Sequence, residues 1–264
     1  MLRDRRRPLS EHLSELRRRL VIAVLALIVG SAVAFVFYQP LVELMLRPAQ
    51  GLVATGGKPI FTDVTELISA TVKVSLMGGF VLALPVLAFQ VVMFVVPALS
   101  RREKRYAIGL LPGVLLCFLG GVVFAYFLLL PPSLRFLLTF GNELATPMIR
   151  VGSYINLVVT LLFWMGLIFE TPLMMIALSR FGVVSPSAFS RGRRYIVVVA
   201  FLLGAVITPT FDPLNQSLVA LPLIVLYEGG IWLSKLVAPR AESKVSRRSR
   251  RKPSSRGRAA LPPN

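Results

Sequence analysis

Six stretches of 15 or more residues in this 264-residue chain contain no charged residue, and their lengths constrain the fold more than any other feature of the sequence. The uncharged stretches are residues 20–42, 74–100, 106–134, 151–169, 195–211 and 213–227. A helix that crosses about 30 Å of bilayer hydrocarbon needs about 20 mostly apolar residues. The first three stretches are long enough, and the fourth is long enough if it continues through Glu170 to Ser179. These lengths predict an all-α membrane protein with several transmembrane helices.

The composition excludes the other broad classes of protein. Hydrophobic residues make up 55% of the chain and charged residues only 16%, whereas soluble domains carry about 25% charge. So much apolar surface also excludes disorder over most of the length. A single cysteine, Cys117, excludes an internal disulfide framework, and together with the single histidine, His12, it cannot build a zinc site of those ligands. We therefore expect no metal or other cofactor.

The last two uncharged stretches hold 17 and 15 residues, which is short for a membrane span. About 15 helical residues reach only roughly 22 Å, so two such helices would need a locally thinned bilayer or shielding by their neighbours. Alternatively, residues 195–227 form one re-entrant hairpin. Six spans are the favoured interpretation, because an even number returns the basic C-terminal segment to the side of the other basic loops.

The predicted organisation has three parts. Residues 1–19 form a cytoplasmic amphipathic helix, residues 20–236 hold six transmembrane helices, and residues 237–264 form a basic disordered cytoplasmic tail. The predicted spans cover about residues 20–38, 70–98, 106–130, 154–178, 195–208 and 213–232. Prolines within several of these spans predict kinked helices and a concave bundle, with the last two helices short.

The basic residues predict the orientation in the membrane. Of the 30 Lys and Arg residues, 25 fall in the two terminal segments and in the loops after the second and fourth spans. By the positive-inside rule these segments are cytoplasmic, so both termini lie inside.

The first apolar stretch is too long for a cleaved signal peptide and lacks a small-residue cleavage site. The tail should attract anionic lipid, whereas nucleic-acid binding is disfavoured because no stacking aromatics interleave its charges.

Two of the acids among the cytoplasmic basic residues are candidate acceptors for a cation, Glu15 and Glu103. Glu15 shares a polar helix face with Glu11 ahead of the first span, and there it either forms a surface ion pair with Arg19 or accepts an incoming cation. Glu103 is the lone acid of the loop Ser100–Tyr106, where it is either a locally paired charge or a second acceptor. A carboxylate binds a guanidinium in bidentate fashion, so both sites would prefer arginine to lysine.

Glu170 is an acid at membrane depth. It lies about 8 residues, and hence roughly 12 Å, from the cytoplasmic end of the fourth span. An intramembrane acid costs about 2.5–3.5 kcal/mol on insertion, and such residues usually mark a function or face a wet cavity. The alternative is a neutral, hydrogen-bonded glutamic acid that holds the bundle together.

The turn between the last two spans is rich in polar residues. These are Thr208, Asp212, Asn215, Gln216 and Ser217. They either form turns and helix caps, or offer a polar contact surface to another transmembrane segment.

The sequence gives no support to an enzyme. It contains no Gly-rich phosphate loop and no His-Glu-x-x-His motif, and no pair of aspartates lies at membrane depth. Its one histidine precedes the first span, which disfavours a serine–histidine intramembrane protease.

Taken together, these residues resemble the TatC family, the membrane receptor subunits of the twin-arginine protein translocase. The resemblance runs from Pro8 to Leu236. It rests on the opening Leu-Ser-Glu-His-Leu-Ser-Glu-Leu-Arg-Arg-Arg-Leu at residues 9–20, Thr62-Asp63, residues 84–90 and 94–99, Glu103, residues 124–127, the Phe-Glu-x-Pro within residues 166–172, Thr208-Pro209 and Asp212.

The resemblance implies a function and a set of partners. It implies six helices in a glove-like, concave arrangement that binds twin-arginine signal peptides at the cytoplasmic face of a bacterial cytoplasmic (inner) membrane. It also implies a multimeric complex with the single-span subunits TatA and TatB, which exports folded proteins using the proton gradient rather than ATP.

The resemblance also implies roles for individual residues. Signal-peptide binding carries over onto Glu15, Glu103, Leu16, Arg17 and Phe94. Contact with a partner helix carries over onto Thr208, Gln216 and Asn215, the intramembrane polar position onto Glu170, and outer-loop positions onto Pro48, Asp63 and Asp212.

Two other classes remain open from the residues alone. A proton-coupled small-solute secondary transporter would also have kinked spans and a buried acid, but it would usually show internal repeats, and none is seen here. A passive membrane scaffold is the other option, and it leaves Glu170 without a reason.

Overall fold

The computed structural model describes residues 9–49, 60, 62–95, 101–140, 149–208 and 212–237. Within these residues the structure is almost entirely helical, and the one β contact described is an isolated bridge between Ile60 and Arg150. The predicted all-α fold is confirmed. The predictions for the first eight residues and for the basic tail beyond Val237 fall outside the described residues.

Ten α-helices follow one another along the described part of the chain. They are α1 (Leu9–Val36), α2 (Tyr38–Leu46), α3 (Glu66–Val95), α4 (Arg101–Gly109), α5 (Leu111–Phe124), α6 (Leu130–Thr139), α7 (Val151–Phe169), α8 (Thr171–Arg180), α9 (Pro186–Ile207) and α10 (Pro213–Val237). A 3-10 turn, Arg47–Ala49, follows α2, and a π-helical turn, Ala125–Leu129, joins α5 to α6.

Five helical segments in the described residues are long and apolar enough to cross a bilayer. They are Leu13–Val36, Glu66–Phe94, Glu103–Thr139, Val151–Arg180 and Pro213–Val237. These segments correspond to the first four and the last of the predicted spans, as expected for a multi-pass membrane protein. Helix α9 is not among them, because it carries three arginines in its first half and only 13 uncharged residues after them. The total of six spans stays a prediction.

The last two helices extend beyond the predicted spans, although the uncharged part of α9 is short. Helix α9 has 22 residues and α10 has 25. Helix α9 begins at Pro186 because Ser185 caps it, accepting a hydrogen bond of 3.3 Å from the Ala188 N–H. Helix α10 continues past Glu228 because that carboxylate is paired, 2.9 Å from the Arg193 Nε of α9.

The first helix is continuous from Leu9 to Val36. The amphipathic segment and the first apolar stretch are therefore one helix, with no break near residue 20. No proline occurs within α1, and its first glycine is Gly30, so the sequence contains nothing that would end the helix earlier.

Prolines mark three of the helix breaks. Pro112, Pro131 and Pro172 each lie in the first turn of a helix, at the start of α5, α6 and α8. A proline there lacks only an N–H that would have no partner within the helix, whereas inside a helix it removes a bond and clashes with the preceding turn. Pro85 and Pro222 nevertheless lie inside α3 and α10, which remain single helices.

The helices pack closely where glycine faces backbone. Helices α1 and α3 meet at Gly30 and Gly79, and a Cβ placed on Gly30 would lie 2.6 Å from the Gly79 carbonyl oxygen. Helices α5 and α7 meet in the same way at Gly121, which lies against the Met165 backbone. Small residues allow this close approach, and the resulting van der Waals contacts hold the helices together. Such packing matters in a membrane because lipid provides no hydrophobic driving force between helices.

Helix α7 is the centre of the bundle. Ten of its 19 residues are buried, including Ile155, Val158 and Met165, which have no exposed surface. It packs against α3, α5 and α10, whereas α1 packs chiefly on α3 and leaves most of its apolar side chains exposed. The N-terminal half of α1 therefore lies at the edge of the bundle, where its polar residues face a cavity.

Candidate functional site

A cavity of about 560 Å³ opens between the start of α1 and the end of α3. It is lined by Ser14, Glu15, Arg18, Arg19, Ile22, Phe89 and Gln90. The first five residues share one face of α1, and the last two lie in the second-last turn of α3. Because α1 and α3 run in opposite directions, the sequence-predicted acid Glu15 meets the C-terminal part of α3.

Glu15 in this cavity holds a guanidinium group. Its Oε1 atom accepts hydrogen bonds from Arg19 Nη2 and from Arg19 Nε, the latter over 3.2 Å. The Arg19 Nη1 atom also donates to Gln90 Oε1 over 3.3 Å. The two side chains of the ion pair are only 23% and 19% exposed, for Glu15 and Arg19 respectively. The ion pair is therefore shielded on one side by α3, which strengthens it relative to a solvated pair.

Gln90 was not identified as a site residue from the sequence. It belongs to the motif at residues 84–90, but the motif does not show which partner the amide contacts. Its contact with Arg19 spans 71 positions in sequence and depends on how α1 packs on α3.

None of the other residues predicted to bind a signal peptide is in the lining of this cavity. Leu16 and Arg17 are exposed on α1 and do not line it. Phe94 is half-buried on α3, one helical turn beyond Gln90. Glu103 is half-buried in the first turn of α4, where the helix dipole favours a carboxylate. Helices α1 and α4 both pack against α3, so the two predicted acceptor acids lie on elements with a common neighbour.

Glu170 lies at the break between α7 and α8. It ends α7 and precedes the first turn of α8, which contains Pro172. The side chain is half-buried, and its Oε1 atom is buried without a hydrogen-bond donor in the described part of the chain. A buried carboxyl oxygen without a hydrogen-bond donor costs free energy. Binding a proton or a hydrogen-bond donor at this position would lower that cost.

The polar residues of the last turn are bonded mainly within the chain. Thr208 is buried, and its Oγ1 donates to the Gly204 carbonyl over 2.7 Å. Asp212 caps α10 by accepting from the Asn215 N–H over 2.7 Å and from the Asn215 Nδ2 over 2.9 Å. Asn215 is 2% exposed, and its Oδ1 is buried without a donor among the described residues. Gln216 is half-buried and bridges the helices, with its Nε2 bonded to the Phe201 carbonyl over 2.6 Å.

The predicted outer-loop residues lie at the opposite end of the bundle from Glu15. Pro48 is half-buried in the 3-10 turn Arg47–Ala49. Asp63 accepts two hydrogen bonds of 2.8 Å from Thr65, one from its N–H and one from its hydroxyl group. The backbone N–H of Thr65 is the main reason that the pKa of Asp63 lies below its ordinary value.

Glu66 is a structural residue that sequence reasoning did not single out. Its carboxylate accepts hydrogen bonds from the Thr62 N–H over 2.9 Å and from the Gly152 N–H over 2.8 Å. The Arg150 Nε lies 3.5 Å from the same group, whose side chain is 6% exposed. The carboxylate therefore fastens the segment before α3 to the start of α7. An acid in the first turn of a long apolar helix was the available signal.

The arrangement offers no site for a metal among the described residues, where no group of three His, Cys, Asp or Glu side chains could hold an ion. What it offers is a pair of half-buried carboxylates at the basic end, a buried carboxyl oxygen in the bundle, and a polar helix turn. These groups can bind cationic and hydrogen-bonding segments of other polypeptides.

Comparisons of the sequence with known proteins point to one family. The family model for the Sec-independent protein translocase protein (TatC) matches residues 11–222. The chain is 40% identical over 243 residues to a Sec-independent protein translocase protein TatC of Aquifex aeolicus, covering 91% of this chain and 99% of that protein. It is 33% identical over 239 residues to the protein of the same name from Carboxydothermus hydrogenoformans, covering 90% and 97% of the two chains.

The fold also resembles a solved structure. A crystal structure of the twin-arginine translocase receptor TatC superposes with a TM-score of 0.75 at 40% sequence identity. The match covers 86% of this chain and 99% of that chain.

Proposed function

We propose that this chain, which belongs to the TatC family of Sec-independent protein translocase proteins, is the signal-peptide receptor and core subunit of a twin-arginine translocase. The family consists of translocase components rather than enzymes, in agreement with the prediction from the sequence. The alternative of a small-solute transporter is not favoured, because both the sequence relatives and the structural match are translocase proteins.

The observation that carries the proposed receptor role is the Glu15–Arg19 pair. The cavity already binds one guanidinium through its Nε and Nη2 atoms, at a carboxylate that is 23% exposed. An arginine of a signal peptide presents the same two donors, and it can take the place of Arg19 without a change in the position of the carboxylate. A lysine ammonium cannot reproduce this planar pair of donors.

A second acceptor accounts for the requirement for two arginines. Glu103 lies in the first turn of α4, next in the chain after the short segment that follows α3. Its neighbours in that turn are basic residues, as are those of Glu15 on α1. Such surroundings repel a peptide with scattered positive charges, so a peptide gains affinity only where two guanidinium groups reach the two carboxylates.

The remaining roles follow from the same family. The chain would lie in a bacterial cytoplasmic membrane with both termini inside, and it would act in a multimeric complex with TatA and TatB. The turn that contains Thr208, Asn215 and Gln216 would contact a partner helix, and the signal peptide would pass Phe94 toward Glu170. Transport of folded cargo would be driven by the proton gradient.

A binding measurement tests the proposed receptor role. The full-length chain in nanodiscs is titrated with a labelled signal peptide that carries either Arg-Arg or Lys-Lys. We expect Glu15→Gln and Glu103→Gln each to weaken Arg-Arg binding by about tenfold, because each removes a charge-assisted bond, and to leave the weaker Lys-Lys binding almost unchanged.

A matched acid at the other end of the bundle provides the control. Glu43 is exposed on α2, far along the chain from either acceptor, and Glu43→Gln should bind both peptides as the unmodified chain does. Equal affinity for Arg-Arg and Lys-Lys peptides in the unmodified chain would overturn the proposed receptor role.

A further inference from the structure

Helices α3 and α7 face each other across two matched pairs of residues at the end of the bundle opposite Glu15. In the first pair, Lys73 Nζ donates to Asn156 Oδ1 over 2.8 Å. In the second, the rings of Phe80 and Phe163 lie edge to face with centroids 5.1 Å apart. Each helix places its two residues seven positions apart, which is about two turns or roughly 10 Å. The two pairs bound a short groove between the helices.

The floor of this groove is apolar. A cavity of about 380 Å³ lies along it, lined by Leu27 of α1, by Lys73, Leu76 and Phe80 of α3, and by Val159 and Phe163 of α7. Lys73 contributes the only charge of this lining, at its end nearest the start of the two helices. The other side chains of the lining are apolar, so they favour contact with an apolar group.

A second, polar cavity begins at the same lysine. It has a volume of about 390 Å³, and its lining includes Lys73, Asn156, Arg150, Asp63 and Ser69. Lys73 is therefore shared by a polar cavity toward the helix starts and an apolar cavity toward the bundle centre. This change from polar to apolar over about one side-chain length matches the profile of an amphiphile at the edge of a bilayer.

The lining of the polar cavity contains two cations, Lys73 and Arg150, and two carboxylates, those of Asp63 and Glu66. The Arg150 Nε pairs with Glu66 over 3.5 Å, and Asp63 accepts hydrogen bonds from Thr65. Lys73 is exposed, and its described partner is the neutral amide oxygen of Asn156, with no ion pair to a carboxylate of the described residues. Its ammonium is therefore the cation of this lining that has no carboxylate partner among the described residues. An anionic group that also brings a hydrocarbon chain would satisfy both cavities.

We propose that this groove binds a membrane phospholipid through its phosphate. The phosphate contacts the Lys73 ammonium at the boundary of the two cavities, with the 54% exposed side chain of Arg150 on the polar side. One acyl chain lies along the apolar cavity toward the Phe80–Phe163 pair. This lipid site is separate from the Glu15 cavity and does not depend on the receptor role of that cavity.

Native mass spectrometry of the full-length chain tests the proposed lipid site. The chain is released from detergent in the presence of phosphatidylglycerol or of a diacylglycerol with the same acyl chains, and bound lipid is counted. We expect the unmodified chain to hold one phosphatidylglycerol tightly. Lys73→Gln should weaken phosphatidylglycerol binding by about tenfold. Diacylglycerol should bind the unmodified chain no better than phosphatidylglycerol binds the Lys73→Gln variant. Arg135→Gln, which removes an exposed cation of α6 outside the groove, should bind as the unmodified chain does.

A second variant tests the acyl-chain position while retaining the lysine. Val159→Trp fills the apolar cavity, so it should also lose the bound phosphatidylglycerol. A photoactivatable group on the acyl chain should crosslink to residues of the groove, such as Leu76. Undiminished phosphatidylglycerol binding in both Lys73→Gln and Val159→Trp would overturn the proposed lipid site. So would crosslinking of the photoactivatable acyl chain only to residues outside the groove.

Discussion

Arg19 and Glu15 lie one turn apart on α1 and form an ion pair in which Nε and Nη2 of the arginine share one carboxylate oxygen. The arginine extends further, since its Nη1 reaches Gln90 of α3 over 3.3 Å. The acceptor that we assign to the signal peptide is thus occupied by a guanidinium from the chain itself. It follows that peptide binding is an exchange of one arginine for another.

This exchange predicts that Arg19→Gln tightens binding of an Arg-Arg signal peptide. The variant removes the internal competitor for Glu15, and the released interaction of about 0.5 kcal/mol corresponds to a gain of about twofold in affinity. Titration of the labelled peptide into nanodiscs measures it. Arg18→Gln is the control, because Arg18 lines the same cavity and carries the same charge. An equal gain in both variants would mean that reduced repulsion, rather than exchange at Glu15, controls affinity.

The Glu66 carboxylate should contribute strongly to stability. Glu66→Ala leaves the Thr62 and Gly152 N–H groups without their acceptor, which should lower the free energy of unfolding by about 2 kcal/mol. Chemical or thermal unfolding of the purified chain in one detergent gives the value. Glu43→Ala removes an exposed acid near the same end and should change stability by less than about 0.5 kcal/mol. If the two variants are equally stable, the contact does not fasten α3 to α7.

Glu170→Gln separates a chemical role of this acid from a structural one. The amide has the same size as the acid, so we expect normal insertion and folding, together with a reduced rate of cargo transport, since the amide cannot exchange a proton at the buried position. Export of a folded reporter in cells and the amount of chain in the membrane are both measured. Full transport by the Gln variant would assign Glu170 to packing alone.

The last turn should recruit a partner helix through several weak bonds. A side-chain hydrogen bond between membrane helices contributes about 0.6 kcal/mol on average, so Gln216→Leu or Thr208→Val alone should reduce co-purification of TatA and TatB only slightly. The double variant should reduce it clearly. Ser217→Ala, which removes only a bond to the Pro213 carbonyl, is the control. Unchanged recovery of partners with the double variant would exclude this turn as their contact.

Local patterns in the sequence predicted much of the fold, and the site residues that they single out stay predictions. Uncharged stretches mark the apolar helices because lipid excludes charge, and Glu170 stands out for the same reason. Glu15 and Glu103 stand out because they are acids among basic residues. The start of α9 and the end of α10 lie beyond the predicted spans. Those spans rest on uncharged stretches that end at charged residues. The helices continue through those residues because Ser185 caps α9 ahead of Pro186 and because Arg193 of α9 pairs with Glu228 of α10.

Contacts between distant parts of the chain could not be predicted. Gln90 meets Arg19 across 71 positions and Gly152 meets Glu66 across 86, and a single sequence carries no pattern that joins them. The helix contacts at Gly30–Gly79 and Gly121–Met165 are of the same kind, since a lone glycine in an apolar run does not show which helix it faces.

A double-mutant cycle between the chain and the signal peptide tests the receptor account most directly. Glu15→Gln and Glu103→Gln are each combined with replacement of each signal arginine by glutamine, and the four dissociation constants of every cycle are measured in nanodiscs. We predict that each carboxylate couples to one arginine by at least about 1 kcal/mol and to the other by less than about 0.5 kcal/mol. Coupling below about 0.5 kcal/mol in every cycle would contradict direct recognition of the arginine pair by Glu15 and Glu103.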